Sequence, residues 1–436
     1  MSRKSIEWLY SELSGLVAKG VLPPEAADRI RQHYGEIDSA AGRRVAVIIF
    51  GVLGGLLIGA GLILLLAHNW DELSRPLRTV LSLVPLMAGQ GLAGWVLVRQ
   101  KESTAWREGV GAYWALSCGV AVALVGQTYH LGSDFASFML AWTLPALPIV
   151  YLLRSSVVAA LYWVGVLTWA GAASWSPDSA MELWFWPFAA AAAPHLWWEA
   201  RGDRYRTRVT LLLWVLGICG CVAIGFGLRG HLDHLWMWVY SSAFAALFLA
   251  GRQWFQAPSS PFRRPLECLG WPSLMVMSLL LSFAKFSDDF ARYRPLDFAD
   301  SGVLRVVAAM AWPLAALVLW LLAIRRRDLW GITAGIVPIL VGLGHLVGGY
   351  SWSSALSQLA FNVYVLAMGI MTVVTGIKGR QLGPVNVGLL LIAALVVARF
   401  FDMDLGVVVR CLAFVLVGIG FLVTNLLIVR RAKEAR

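Results

Sequence analysis

Charge is what this sequence has least of. Only 14% of its 436 residues are Asp, Glu, Lys or Arg, against about a quarter in a soluble domain. With 59% hydrophobic residues, the chain cannot cover itself with polar surface in water, so a bilayer is its natural solvent. Cysteine is scarce too. Cys118, Cys219, Cys221 and Cys411 fall inside apolar runs and Cys268 at the edge of one. The Cys219/Cys221 spacing is not CxxC, and no second pair completes a zinc site. They read as small apolar helix residues, and no metal or other cofactor is expected. Also missing are GxSxG, HExxH, a Walker A loop, a dinucleotide glycine fingerprint and any long polar stretch that could form a soluble domain. That argues against the soluble enzyme classes. No cleavable signal peptide is expected, because the first strong apolar run starts only near Val45.

What is present is a succession of apolar runs, at about 45–67, 79–98, 109–129, 135–153, 156–174, 181–198, 208–228, 235–250, 270–286, 303–324, 329–347, 358–376, 384–400 and 406–429. Most are long enough to cross about 30 Å of hydrocarbon at about 1.5 Å per residue. The expected fold is therefore all-α: a polytopic transmembrane bundle of about fourteen spans, with twelve as the lower bound if short runs are re-entrant. Ahead of it, residues 1–44 read as a cytoplasmic helical hairpin. Ile6, Leu9, Leu13 and Val17 recur at helical spacing, Gly20 suits a stop, and Pro23 and Pro24 suit a second start. Residues 45–436 form the membrane domain. A division into halves at 45–250 and 270–431 is open, since Leu56–Trp70 faintly echoes Ile339–Trp352.

The net charge of +11 fits topology better than nucleic acid, because the basic residues sit between the apolar runs. With the N-terminus inside, 27 Lys and Arg fall in inner segments and 7 in outer loops. A single missed span would turn Arg325–Arg327 outward. Both termini are thus expected in the cytoplasm. Trp106, Trp197, Trp198, Trp254 and Trp330 would ring the inner interface, and Trp70, Trp175, Trp184, Trp236 and Trp352 the outer one. The excess of Arg over Lys, 30 to 6, together with abundant Ala, Gly and Trp, suggests a bacterial, GC-rich source and hence the inner membrane.

Two features stand out within this frame. Gly51, Gly55 and Gly59 lie four residues apart on the first run, a spacing that lets helix backbones approach closely in lipid; Gly331 and Gly335 repeat it. Polar groups gather at the outward ends: His68, Asn69, Asp71, Gln127, Tyr129, His130, His345, Asn362, Arg399, Asp402 and Arg410. An ionisable group near a bilayer marks a pathway, a site or a structural pair. Arg399 and Asp402 at i, i+3 suit a helix-end ion pair, and His231, Asp233 and His234 suit a solvated loop. The other reading is a shared outward pocket for a head group, a proton or a metal.

LVAKGVLPPEAADRI in the hairpin, AHNWDEL after the first run and GQTYHLGSD after the third resemble the bacterial predicted-membrane-protein family catalogued as domain of unknown function 2157. The stretch NVGLLLIAALVVARFFDMDLGVVVRCLAFVLVGIGFLVTN resembles the end module of such proteins. The resemblance covers about residues 10–155 and 360–431. It implies the fold and the location and supplies no reaction.

Three functions stay open. One is a transporter-like protein that binds or moves a small or amphipathic solute. Another is a non-catalytic scaffold, assembly factor or envelope sensor whose hairpin meets a protein partner. The third is a membrane-embedded transferase. The bilayer itself is the one partner the composition requires, and one sequence leaves the oligomeric state open.

Overall fold

The computed structural model describes residues 3–34, 73–132, 134–174, 180–204, 206–230, 232–255, 261–283, 302–347 and 354–402, with 415 and 418–420. Two compact units divide the chain, Met1–Arg78 and Thr79–Arg436. Among the described residues the protein is all-α.

The first unit holds α1 (Arg3–Ala18) and α2 (Pro24–Tyr34). α1 stops where the spacing predicts. Gly20 takes φ +68°, and the amides of Gly20 and Val21 return to the carbonyls of Val17 and Leu16, each at 3.0 Å. α2 starts at Pro24, where a missing N–H costs nothing. Leu13 and Ala27 are buried.

The second unit takes up α3 (Arg75–Arg99) from Thr79 and runs on through α4 (Thr104–Tyr129), α5 (Phe135–Thr143), α6 (Ala146–Leu153) and α7 (Ser156–Ala173). A 3-10 turn at Ala180–Trp184 leads into α8 (Phe185–Ala191), α9 (Ala193–Gly202) and α10 (Thr207–Leu228). Then come α11 (Trp236–Trp254), α12 (Pro265–Leu281), α13 (Val303–Arg325), α14 (Leu329–Val347), α15 (Ser354–Lys378) and α16 (Leu382–Asp402).

Among the described residues, nine helical segments are long and apolar enough to cross a membrane; α5 and α6 together make one of them. They cover nine of the apolar runs read from the sequence. The runs at 270–286 and 329–347 fall on shorter apolar helices. The run at 181–198 is not one straight helix, and its prolines explain why. Pro187 and Pro194 cannot donate a backbone hydrogen bond, so the chain breaks at Ala192 between α8 and α9. Neighbouring side chains bond the α8 carbonyls: Tyr162 Oη to Phe188 and Trp163 Nε1 to Ala189, both at 3.0 Å, and Tyr151 Oη to Ala191. In lipid, backbone groups need such partners. Pro145 breaks α5 from α6 in the same way. The run at 45–67, the run at 406–429 apart from 415 and 418–420, the glycines Gly51, Gly55 and Gly59, and residues 285–300 lie outside the described residues.

Two large apolar cores, with two smaller clusters beside them, fill this unit. One is built on α4–α8 around Tyr162, Trp163 and Phe185; the other joins α11–α16 around Leu249, Leu274, Val341 and Phe361. Close helix contact rests on glycine at several points. A Cβ on Gly335 would fall 1.9 Å from Trp320, and one on Gly388 would fall 2.6 Å from the Gly369 carbonyl.

Candidate functional site

Five turns, those after α3, α6, α9, α11 and α13, are tied together by charge. Glu108 in the first turn of α4 accepts from the hydroxyl of Ser155 at 2.5 Å and from the amides of Ser156 and Val157 at 3.1 and 2.9 Å. A carboxylate there satisfies the open donors of the α7 N-terminus and suits its positive dipole end. The same carboxylate meets Arg208 of α10 at 3.2 Å. Arg107 donates to the carbonyls of Leu153 and Arg154 at 2.6 and 3.2 Å, holding the end of α6. Arg204 donates to the carbonyl of Trp254, and Arg252 pairs with Asp328 in the turn before α14.

A pocket of about 340 Å³ opens beside this network, lined by Arg154, His195, Trp198 and Glu199. His195 is 2% exposed, and its Nε2 lies 3.3 Å from the Ser156 hydroxyl. One Glu199 oxygen lies 3.9 Å from Arg208; the other is buried with no hydrogen-bond partner among the described residues. Arg154 sits at φ 47°, a left-handed position that costs a non-glycine residue about 1–2 kcal/mol. Its side chain is exposed and has no ion-pair partner among the described residues.

Along α6 runs a larger groove of about 970 Å³. Leu83, Leu86 and Gln90 of α3, Trp114, Cys118 and Val125 of α4, and Pro148, Ile149, Tyr151 and Leu152 of α6 line it. Its walls are almost wholly apolar. Tyr151 joins groove to pocket, since its ring meets the Trp198 ring edge-on at 6.0 Å.

The polar residues singled out in the sequence occupy other places. Gln127, Tyr129 and His130 are exposed at the far end of α4. Tyr129 shares a 2.9 Å hydrogen bond with Thr79, and His130 caps α4 in the left-handed conformation. Asp134 caps α5 by accepting from the Ser137 amide at 2.9 Å, and hydrogen bonds from the Ser137 side chain and then its amide hold its carboxyl below the usual carboxylate range. Asn362 donates to the Gln358 carbonyl at 2.7 Å, and its own oxygen is buried without a partner. Arg399 donates to the carbonyl of Ser282 and, at 3.3 Å, to its hydroxyl, with Phe283 5.5 Å away. No hydrogen bond links the α4 group to Asn362 or Arg399 among the described residues. Asp233 accepts from the Gly230 amide at 3.1 Å. His345 and Asp402 fall in α14 and α16, and His68, Asn69, Asp71, His231 and Arg410 lie outside the described residues. No group of three metal-capable side chains occurs among the described residues.

Glu108, His195 and Glu199 form the pocket network yet carry no motif. Their signal is that each is an ionisable residue set into or against an apolar run, which a bilayer makes costly.

Long apolar helices, backbone satisfied by neighbouring side chains and charge gathered at turns and helix ends define a polytopic helical membrane protein. Residues 14–159 match the model of a family described as "Predicted membrane protein (DUF2157)", in line with the resemblance carried by the hairpin and by GQTYHLGSD. That stretch contains Glu108, Arg154, Ser155 and Ser156 but neither His195 nor Arg208. No curated protein and no solved structure matches the chain.

Proposed function

We propose that this is a bacterial inner-membrane protein of about fourteen spans, both termini cytoplasmic, that holds an amphipathic lipid-like solute against α3, α4 and α6. The observation that carries the solute reading is the groove. At about 970 Å³ it lies in the range of ligand sites, and its walls offer an apolar chain a lining with few competing polar groups. Gln90 is the one amide along it. The distribution of 27 against 7 basic residues supports the orientation, as do the exposed Trp106, Trp197, Trp198 and Trp254 at the charged turns. Whether the solute is moved or only bound is a second question; the transporter-like reading needs movement.

The test uses the full chain in detergent with a phospholipid carrying a photoreactive group at the end of one acyl chain. Labelling is expected on peptides of α3, α4 and α6, and Val125→Trp, which fills the groove, should reduce it severalfold. Labelling spread evenly over all helices would overturn the reading. So would a Val125→Trp variant that loses stability while keeping full labelling, because the groove would then be the seat of one of the chain's own helices.

The scaffold reading has support of its own. The α1–α2 hairpin belongs to a separate compact unit, as expected of a segment offered to a partner. A single protein cross-linked in cells from residues 5–35 would favour it.

A further inference from the structure

The pocket beside the groove has the wrong chemistry for an acyl chain and the right chemistry for a head group of two opposite charges. Glu199 presents a buried oxygen with no donor, a state that a ligand N–H would relieve. Its other oxygen is already near Arg208, so the carboxylate stays anchored while the open oxygen waits. Trp198, 53% exposed, supplies an aromatic wall of the kind that attracts an ammonium ion. Arg154 lines the same pocket with a guanidinium that has no ion-pair partner among the described residues, suited to two oxygens of a phosphate. His195, its Nε2 3.3 Å from the Ser156 hydroxyl, completes the lining.

Groove and pocket lie on either side of the Tyr151–Trp198 ring pair near the end of α6. Pro148, Ile149, Tyr151 and Leu152 face the groove, and Arg154, two residues on, lines the pocket. We infer that the pocket takes the zwitterionic head group of a phospholipid with a primary ammonium, its nitrogen donating to Glu199 and its phosphate held by Arg154. This rests on the groove holding the lipid's chain. A primary ammonium is specified because the open Glu199 oxygen needs an N–H; a trimethylated nitrogen has none to give.

Native mass spectrometry of the full chain in detergent would test this with three dioleoyl lipids of identical chains, bearing phosphoethanolamine, phosphocholine or phosphoglycerol heads. The ethanolamine lipid should bind about tenfold more tightly than the choline lipid, in keeping with a charge-assisted hydrogen bond to a desolvated carboxylate. Glu199→Gln should bring the two to parity, and Arg154→Ala should weaken all three. If Glu199→Gln does not fold, Trp198→Ala at its half-exposed position should weaken the ethanolamine and choline lipids and leave the glycerol lipid unchanged. Parity in the unaltered protein, a preference that survives Glu199→Gln, or a Trp198→Ala variant that weakens all three lipids alike would overturn the proposal. If none of the three lipids binds, the groove reading has failed. If all three bind equally, the groove stands and the head-group assignment falls. Free phosphoethanolamine, run alongside, should bind far more weakly than the lipid; equal affinity would assign the site to a water-soluble solute and overturn the lipid source.

Discussion

Arg252 and Asp328 meet in a two-pronged ion pair, Nε to Oδ2 and the second guanidinium nitrogen to Oδ1, both at 2.7 Å. Arg252 lies in the last turn of α11 and Asp328 in the turn before α14, 76 residues away. Each side chain is only about a fifth exposed, at 23% and 22%. The planar fork of arginine fits a carboxylate in a way that a lysine ammonium cannot. Asp328→Asn should therefore lower stability by about 1–2 kcal/mol, and Arg252→Lys should fall between it and the unaltered chain. Thermal unfolding of the full chain in detergent reads both. A shift no larger than that from an exposed pair would assign the contact to geometry without energy.

The same pair sets a pH dependence. Burial works to raise the Asp328 carboxyl, but the hydrogen bond and charge of Arg252, with the amides of Gly331 and Trp330, hold it below its ordinary range. A carboxylate depressed in the folded state contributes its stability above the unfolded value of about 3.9 and loses it as pH falls through the folded value. The gap in Tm between the unaltered chain and Asp328→Asn should be full at neutral pH and close below about pH 4. A gap that stays constant from neutral to acid would show that the charge of Asp328 contributes nothing.

Glu108 anchors the start of α7 through three donors and pairs with Arg208 of α10. Glu108→Gln keeps an acceptor for the α7 donors and loses the ion pair. Glu108→Ala loses both and should cost more, by about 1–3 kcal/mol. A double-mutant cycle with Arg208→Ala isolates the pair, with an expected coupling of about 1–2 kcal/mol. Additive losses would mean that Arg208 serves Glu199 alone.

Much of the fold is legible in the sequence because lipid imposes one rule on every apolar run. The α1 stop at Gly20 and the α2 start at Pro24 are legible because both residues restrict the backbone locally. The bend in 181–198 depends on what surrounds Pro187 and Pro194: whether Tyr162 and Trp163 reach the freed carbonyls is a tertiary fact. The pocket network is hidden for a related reason. Arg154 and Arg208 count first as basic loop residues that orient the chain, and sequence does not reveal that Glu108 sits between their turns. GQTYHLGSD, in contrast, shows its polar residues plainly. The bonds found for His130 and Asp134 are those of a helix stop and a helix start.

The α15–α16 hairpin tests the small-residue rule. Gly388 and Gly369 are both buried, and a Cβ at Gly388 would come within 2.6 Å of the Gly369 carbonyl and 2.8 Å of the Val373 nitrogen. Both obstacles are backbone, so no side chain can rotate away. Gly388→Ala should destabilise by about 1–3 kcal/mol, and Gly383→Ala, which meets open space, should not. Equal behaviour of the two would mean that the helices separate at little cost.

At the opposite end of the bundle, Arg305 of α13 reaches Glu182 in the 3-10 turn before α8, Nε to Oε1 at 3.0 Å across 123 residues. This pair is far more buried than Arg252–Asp328, with side chains 12% and 5% exposed. Burial reverses the expected economics of the contact. Removing both charges takes away an attraction together with two desolvation penalties, so Arg305→Met combined with Glu182→Leu should be close to neutral. Arg305→Met alone leaves the buried Glu182 carboxylate without its counter-charge and should cost about 3–5 kcal/mol. The three proteins compared by thermal unfolding separate the possibilities. A double variant as unstable as the single one would show that the arginine holds α13 through its further contacts and that Glu182 is incidental. A near-neutral double variant would identify the pair as a latch whose strength appears only when one half is missing, joining the turn before α8 to the start of α13.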